Sequence, residues 1–228
     1  MLLYTIPPPP LVVVPVAGSD QVFAVRRVYC IGRNYAAHAV EMGHDPHREP
    51  PFFFQKNPEN LYAGDQFPYP AQSHDVHHEV ELVVALKSGG RNIPVAQALD
   101  NVWGYGVGLD MTCRDLQATA KAMGRPWETA KAFEHSAPVS PLQPVSVVGH
   151  PSAGLVQLQV NGATRQTGDL TQMIWSVPEV ISTLSAYFEL GPGDVIMTGT
   201  PAGVGPVVVG DVITAQVAGV GELKVIVV

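Results

Sequence analysis

Cysteine is almost absent. Cys30 and Cys113 are the only two among 228 residues, each inside an apolar run, which excludes a disulfide framework and suits a reducing cytoplasm. Charge is also scarce: charged residues make up 14% of the chain, the 13 lysines and arginines are scattered, and the formal net charge is -7. Duplex nucleic acid needs a concentrated basic surface, so it is not an expected partner. Long hydrophobic runs are missing, because residues 11–16 are broken by proline and residues 225–228 stop early. Both fall far short of the roughly 18 residues that span a bilayer. No Lys or Arg precedes Arg26, so the basic segment that opens a secretory signal is lacking and a cytoplasmic protein is expected.

Several catalytic signatures are missing too. The chain has no G-x-S-x-G, Walker A or G-x-G-x-x-G pattern, since Gly104, Gly106 and Gly108 are followed by residues 109–111 without the third phosphate-facing glycine. Seven histidines, His44, His47, His74, His77, His78, His135 and His150, show no H-E-x-x-H spacing and have no cysteine pair beside them. Zinc is therefore set aside.

What remains is an apolar, turn-rich chain: 46% hydrophobic, with 22 Gly and 21 Pro. Its length suits one core. Residues 1–23 read as a proline-rich arm, because Pro7 to Pro10 remove four consecutive backbone donors. Strands are expected at 25–31, 51–56, 76–86, 102–109, 155–160, 195–198, 212–217 and 223–228, with Asn161-Gly162 as a hairpin turn. Short helices are expected at 35–42, 95–101, 110–123 and 177–188, the third opened by a Thr112 to Asp115 capping pattern. The class is α+β and β-rich.

Within that frame a few polar residues stand out. Glu79 and Glu81 are two apart in an apolar run, so strand periodicity puts both carboxylates on one face. Two like charges there are costly unless a cation neutralises them, and hard oxygen donors suit Mg²⁺ or Mn²⁺. A half-exposed strand with an acidic solvent face is the plain alternative. Asp110 follows the glycine-spaced strand and could complete the set or cap the next helix. His38 and Glu41, three apart on a short helix, form either a base oriented by a carboxylate or a solvated ion pair. Lys131 sits among small apolar residues and could steady an enolate or simply snorkel to the surface.

Taken together, residues 31–38 (IGRNYAAH), 78–82 (HEVEL), 108–117 (GLDMTCRDLQ) and 198–205 (TGTPAGVG) resemble the fumarylacetoacetate hydrolase family in order and spacing. The resemblance spans residues 24–228, which it makes the catalytic domain, and the stretch 32–56 looks most like the bacterial fumarylpyruvate hydrolases of gentisate breakdown. It implies a roll of mixed β-sheets, usually a homodimer. Glu79, Glu81 and Asp110 match the metal ligands, His38 with Glu41 a His-Glu dyad on a lid helix, and Lys131 the catalytic lysine. Arg33, Tyr35, Lys56, Gln117 and Thr200 match positions that line the substrate pocket.

The implied activity is metal-dependent C-C bond hydrolysis of a small acylpyruvate, fumarylpyruvate first, to fumarate and pyruvate. Rival readings keep the fold and change the reaction to oxaloacetate decarboxylation or diene-dioate isomerisation. A ligand-binding protein that keeps its metal only for stability is the non-enzymatic alternative.

Overall fold

The computed structural model describes residues 3–36 and 50–228. Two sheets face each other and enclose the main core. The first has six strands in the order Gln143–Pro144, Val102–Leu109, Val80–Leu86, Asp194–Met197, Arg27–Gly32 and Phe52–Lys56. Only the pairing of Asp194–Met197 with Arg27–Gly32 is parallel within it. The second has five strands, Ala163–Asp169, Leu155–Val160, Val212–Val217, Gly221–Val227 and Gln66–Phe67. Asn161 and Gly162 turn the hairpin with φ of 53° and 79°, the positive values a tight turn of this kind requires.

Strand alternation sorts the apolar side chains into two cores. Leu82, Val84, Tyr105 and Val107 of the first sheet meet Val156, Leu158, Ile213 and Val225 of the second. Val28, Cys30, Val83, Ala85 and Met197 point to the opposite face of the first sheet and form a smaller cluster with Val14, Phe23 and Leu142. The proline-rich lead-in reaches this second face through a hairpin, Val13–Pro15 against Val22–Ala24. Helices are short: Val95–Ala98, Arg114–Ala122, Glu128–Lys131, Val145–Val148 and Val177–Tyr187. Among the described residues, no helix is long and apolar enough to cross a membrane.

Most expected elements are present, and two differ in an instructive way. The run at 76–86 is two strands, Val76–His78 and Val80–Leu86, which join different sheets on either side of Glu79. The third helix begins at Arg114, not at 110. Residues 110–114 spend their backbone donors elsewhere: Asp110 N on Glu79 O, Met111 N on Ser136 O and Arg114 N on Asp75 O, while Thr112–Cys113 pairs with Val76 and His77. No capping box forms, because Thr112 Oγ1 donates to Asp110 O and the Asp115 carboxylate accepts from Ser73 Oγ and His74 N. Asp110 is thus not a helix cap. The helix expected at 35–42 falls, from residue 37 onward, outside the described residues.

The glycines of Val102–Leu109 let a neighbouring segment lie against the second face. A Cβ on Gly104 would fall 2.2 Å from the backbone oxygen of Gln143. Gly104→Ala is therefore expected to lower unfolding free energy by about 1–3 kcal/mol, while Gly221→Ala, with no atom within 4 Å of its Cβ, changes it by less than about 0.5 kcal/mol. Urea denaturation of both variants checks the contrast.

Candidate active site

The second face of the six-stranded sheet also carries the acids. Residues 80, 82, 84 and 86 point into the main core and 83 and 85 point away, so Glu81 shares the outer face. In the next strand Tyr105, Val107 and Leu109 point inward, which places Asp110 outward beyond Gly108, the residue paired with Glu81. Glu79 occupies the break between its two strands. Ligand-capable oxygens of Glu79, Glu81 and Asp110 lie within 4.8 Å of one another, and all three residues are buried.

Three cations press on these three acids. Lys131 Nζ donates to Glu79 Oε2 at 2.9 Å and to Asp110 Oδ2 at 2.6 Å. Arg114 Nη2 donates to Glu79 Oε1 at 2.6 Å, and its Nη1 reaches Gln117 Oε1 at 2.8 Å. Lys56 Nζ stands 2.9 Å from Asp110 Oδ1 as a charge contact and donates to Lys131 O and Ser136 Oγ. Burial alone lowers the Lys131 pKa, but Asp110 and Glu79 outweigh it and the net shift is upward, so Lys131 is held protonated. Glu81 moves the other way. Burial, then the charges of Asp110 and Glu79, hold its carboxyl well above the ordinary range despite a bond from Gly199 N.

The loop that supplies Gly199 is itself clamped. Asn34 Nδ2 donates to Trp175 O and Thr198 O, and Asn34 Oδ1 accepts from Trp175 N. Gly199 has φ of 96°, and a Cβ there would fall 2.7 Å from Asn34 Cβ, so glycine is required for the amide to reach Glu81. On the flank, buried Gln166 accepts from Val80 N and lies 2.9 Å from His78 Nδ1, while its Nε2 donates to Thr200 Oγ1 and Pro201 O.

The structure therefore assembles Glu79, Glu81, Asp110, Lys131 and Lys56 around one point, with Gln117 reached through Arg114. Lys56, expected in the pocket lining, is directed at Asp110. Tyr35 is buried, and its hydroxyl has no hydrogen-bond partner among the described residues. Burial, then the Glu81 charge, raises its pKa. Thr200 is buried beneath Gln166, and Arg33 sits over the Phe52 ring. His38 and Glu41 lie outside the described residues. Sequence reading overlooked Arg114, Asn34 and Gln166. Arg114 was within reach of it, as the residue between Asp110 and Gln117 in one motif. Gln166 carries no such mark, being one polar residue in an alternating strand.

A divalent cation fits these residues. The donor set is all oxygen, the choice of Mg²⁺ and Mn²⁺, and the like charges of Asp110 and Glu79, which add to burial in pushing the Glu81 carboxyl up, are of the kind a cation offsets.

The chain is similar to known proteins along almost its whole length. Residues 27–228 match the model of the fumarylacetoacetate hydrolase C-terminal family. The crystal structure of fumarylpyruvate hydrolase from Pseudomonas aeruginosa in complex with Mn²⁺ and pyruvate superposes with a TM-score of 0.97 and 52% identity, covering 99% of both chains. A fumarylpyruvate hydrolase of Ralstonia sp is 42% identical over 177 residues, 77% of this chain and 92% of that protein. The mitochondrial oxaloacetate tautomerase of Arabidopsis thaliana is 43% identical over 198 residues, 87% of this chain and 89% of that protein.

Cation binding to the folded state has a direct readout. Mn²⁺ at about 100 times its dissociation constant should add about 2.7 kcal/mol to stability, visible as a rise of several degrees in Tm. Glu81→Gln should abolish most of that rise. Equal shifts in both proteins would place the ion elsewhere.

Proposed function

The chain belongs to the fumarylacetoacetate hydrolase family, and from that premise we propose that it hydrolyses the C3-C4 bond of an acylpyruvate, fumarylpyruvate first, to fumarate and pyruvate. The observation that carries the reading is the buried Glu79, Glu81 and Asp110 cluster backed by Lys131, on a fold 52% identical to a fumarylpyruvate hydrolase crystallised with Mn²⁺ and pyruvate.

In this reading Glu79, Glu81 and Asp110 hold Mg²⁺ or Mn²⁺, which supplies Lewis-acid polarisation of the 2-oxo acid end of the substrate. The protein's own groups do the rest. The three acids already face three cations, so a bound divalent ion leaves the site positive and receptive to an anionic substrate. His38, oriented by Glu41 as the family resemblance implies, takes a proton from water, and the resulting hydroxide attacks the C4 carbonyl. Collapse of the tetrahedral species breaks the C3-C4 bond, and the electron pair passes to C3 and its neighbouring carbonyl as an enolate. Protonated Lys131 offsets that charge and stands ready to deliver a proton to C3. A cytoplasmic homodimer belongs to the same proposal.

A second reading is keto-enol tautomerisation of oxaloacetate, favoured by the 43% identity to the plant tautomerase. It needs proton transfer at a chelated oxo acid without attack by water, as do the decarboxylase and isomerase alternatives. A non-catalytic ligand-binding protein would leave the His38 and Glu41 dyad without a task.

Pyruvate release from fumarylpyruvate, acetylpyruvate and oxaloacetate separates these readings. Fumarylpyruvate should be preferred and EDTA should stop turnover. His38→Ala should reduce kcat by about 10² to 10⁴ with Mn²⁺ binding intact. Preferred, His38-independent conversion of oxaloacetate would move the protein to the enolate-only chemistries.

A further inference from the structure

Beside the acid cluster lies an aromatic floor. The outermost strand pairs Val28 with Lys56, Cys30 with Phe54 and Gly32 with Phe52, so Lys56, Phe54 and Phe52 share the outer face of the sheet and step away from Asp110. Trp127 joins both rings, with centroids 5.5 Å from Phe52 and 5.9 Å from Phe54. Each ring carries a cation: Lys131 Nζ is 5.1 Å from the Phe54 centroid, Lys121 Nζ 5.1 Å from Trp127 and Arg33 Cζ 5.3 Å from Phe52. The first of these is committed to Glu79 and Asp110. Neither of the others takes part in an ion pair among the described residues.

Two unpaired cations held on adjoining rings repel each other. Burial and then Arg114, Arg33 and Lys131 push the Lys121 pKa down, against a smaller opposing pull from Glu79, so the pair is near enough to interact. Arg33 also holds φ of 57°, a left-handed conformation that is unfavourable for a non-glycine residue and clusters at functional sites. The ring it covers is fixed in place, since a Cβ on Gly32 would fall 1.9 Å from Phe52.

Arg114, Gln117 and Lys121 lie along one face of the helix Arg114–Ala122, at the three- and four-residue spacing that aligns side chains. Lys121 is therefore about 10 Å farther along the axis than Arg114, with its side chain leaning back toward it. In a seven-carbon dioxo diacid the terminal carbons are six bonds apart, roughly the 7 Å of two extended residues.

We propose that Arg33 and Lys121 bind the distal carboxylate of a diacid acylpyruvate whose oxo-acid end lies at the Glu79, Glu81 and Asp110 cluster. The inference rests on the acylpyruvate reading above and adds the basis of its acyl selectivity: the pair favours a chain that ends in a carboxylate over one that ends in a methyl group. The aromatic floor supports the flat, conjugated part between the two ends and keeps both cations extended over it.

The test compares kcat/KM for fumarylpyruvate and acetylpyruvate in wild type, Lys121→Gln, Lys121→Arg and Arg33→Gln, with Tm measured to show folding. Each Gln variant should lose about 10- to 100-fold on the diacid, mostly in KM, so that the preference for the diacid over acetylpyruvate falls about tenfold or more, while Lys121→Arg keeps most of the preference. Equal losses on both substrates, or none, overturn the proposal. Fumarate and pyruvate binding to the Mn²⁺-loaded proteins, measured by calorimetry, makes the pair testable without turnover. Fumarate should weaken about tenfold or more in the Gln variants with pyruvate unchanged. Unaltered fumarate affinity defeats the pair even if hydrolysis is confirmed, whereas a selective fumarate loss in a protein that cleaves no acylpyruvate supports the pair and defeats the reaction.

Discussion

Three buried carboxylates within 4.8 Å of one another are the constraint around which this molecule is organised. Such a group is stable only if its charge is neutralised and its lone pairs are satisfied. Lys131, Arg114 and Lys56 meet the first need and the Gly199 amide part of the second. The compensation stops short of complete. Glu81 is pushed toward its protonated form by burial and by the charges of Asp110 and Glu79, so the cluster is still poised for an additional cation. A fully satisfied network would resist a ligand, and an uncompensated one would unfold.

The supporting architecture follows from this demand. Separation of the sheet's two faces lets one side of each central strand build the main core while the other builds the site. Closely packed glycines at 104, 106 and 108 allow residues 138–144 to come down on that second face. Cys30, buried under the cluster, has its thiol pKa driven up by burial and by Asp110. It is therefore an inert floor and no nucleophile.

Much of the fold was legible because strand periodicity and turn chemistry are local properties. The strand Val102–Leu109, the Asn161-Gly162 hairpin and the helix Val177–Tyr187 fall where pattern puts them. Local rules misled where tertiary pairing overrode them. Thr112 to Asp115 reads as a helix start, yet backbone bonds to Glu79, Ser136 and Asp75 keep residues 110–113 out of the helix, which begins at Arg114. The same bond from Asp110 N to Glu79 O ties the break at Glu79 to the residue that follows the glycine strand, so one long-range contact explains both departures.

For the site, the amino-acid sequence determined which groups could carry chemistry: acids spaced two apart in an apolar run, an aspartate after a glycine strand, a lysine among small residues. Side-chain alternation along a strand is enough for that, because it depends only on backbone geometry. Partner choice was decided by the tertiary structure alone. That Lys56 turns inward to Asp110, that Arg114 seals Glu79, and that Arg33 and Lys121 stand on neighbouring rings without an ion-pair partner among the described residues depend on strands and helices far apart in the chain. Pairing of charges is a matter of distance and dielectric, and neither exists until the sheets have closed.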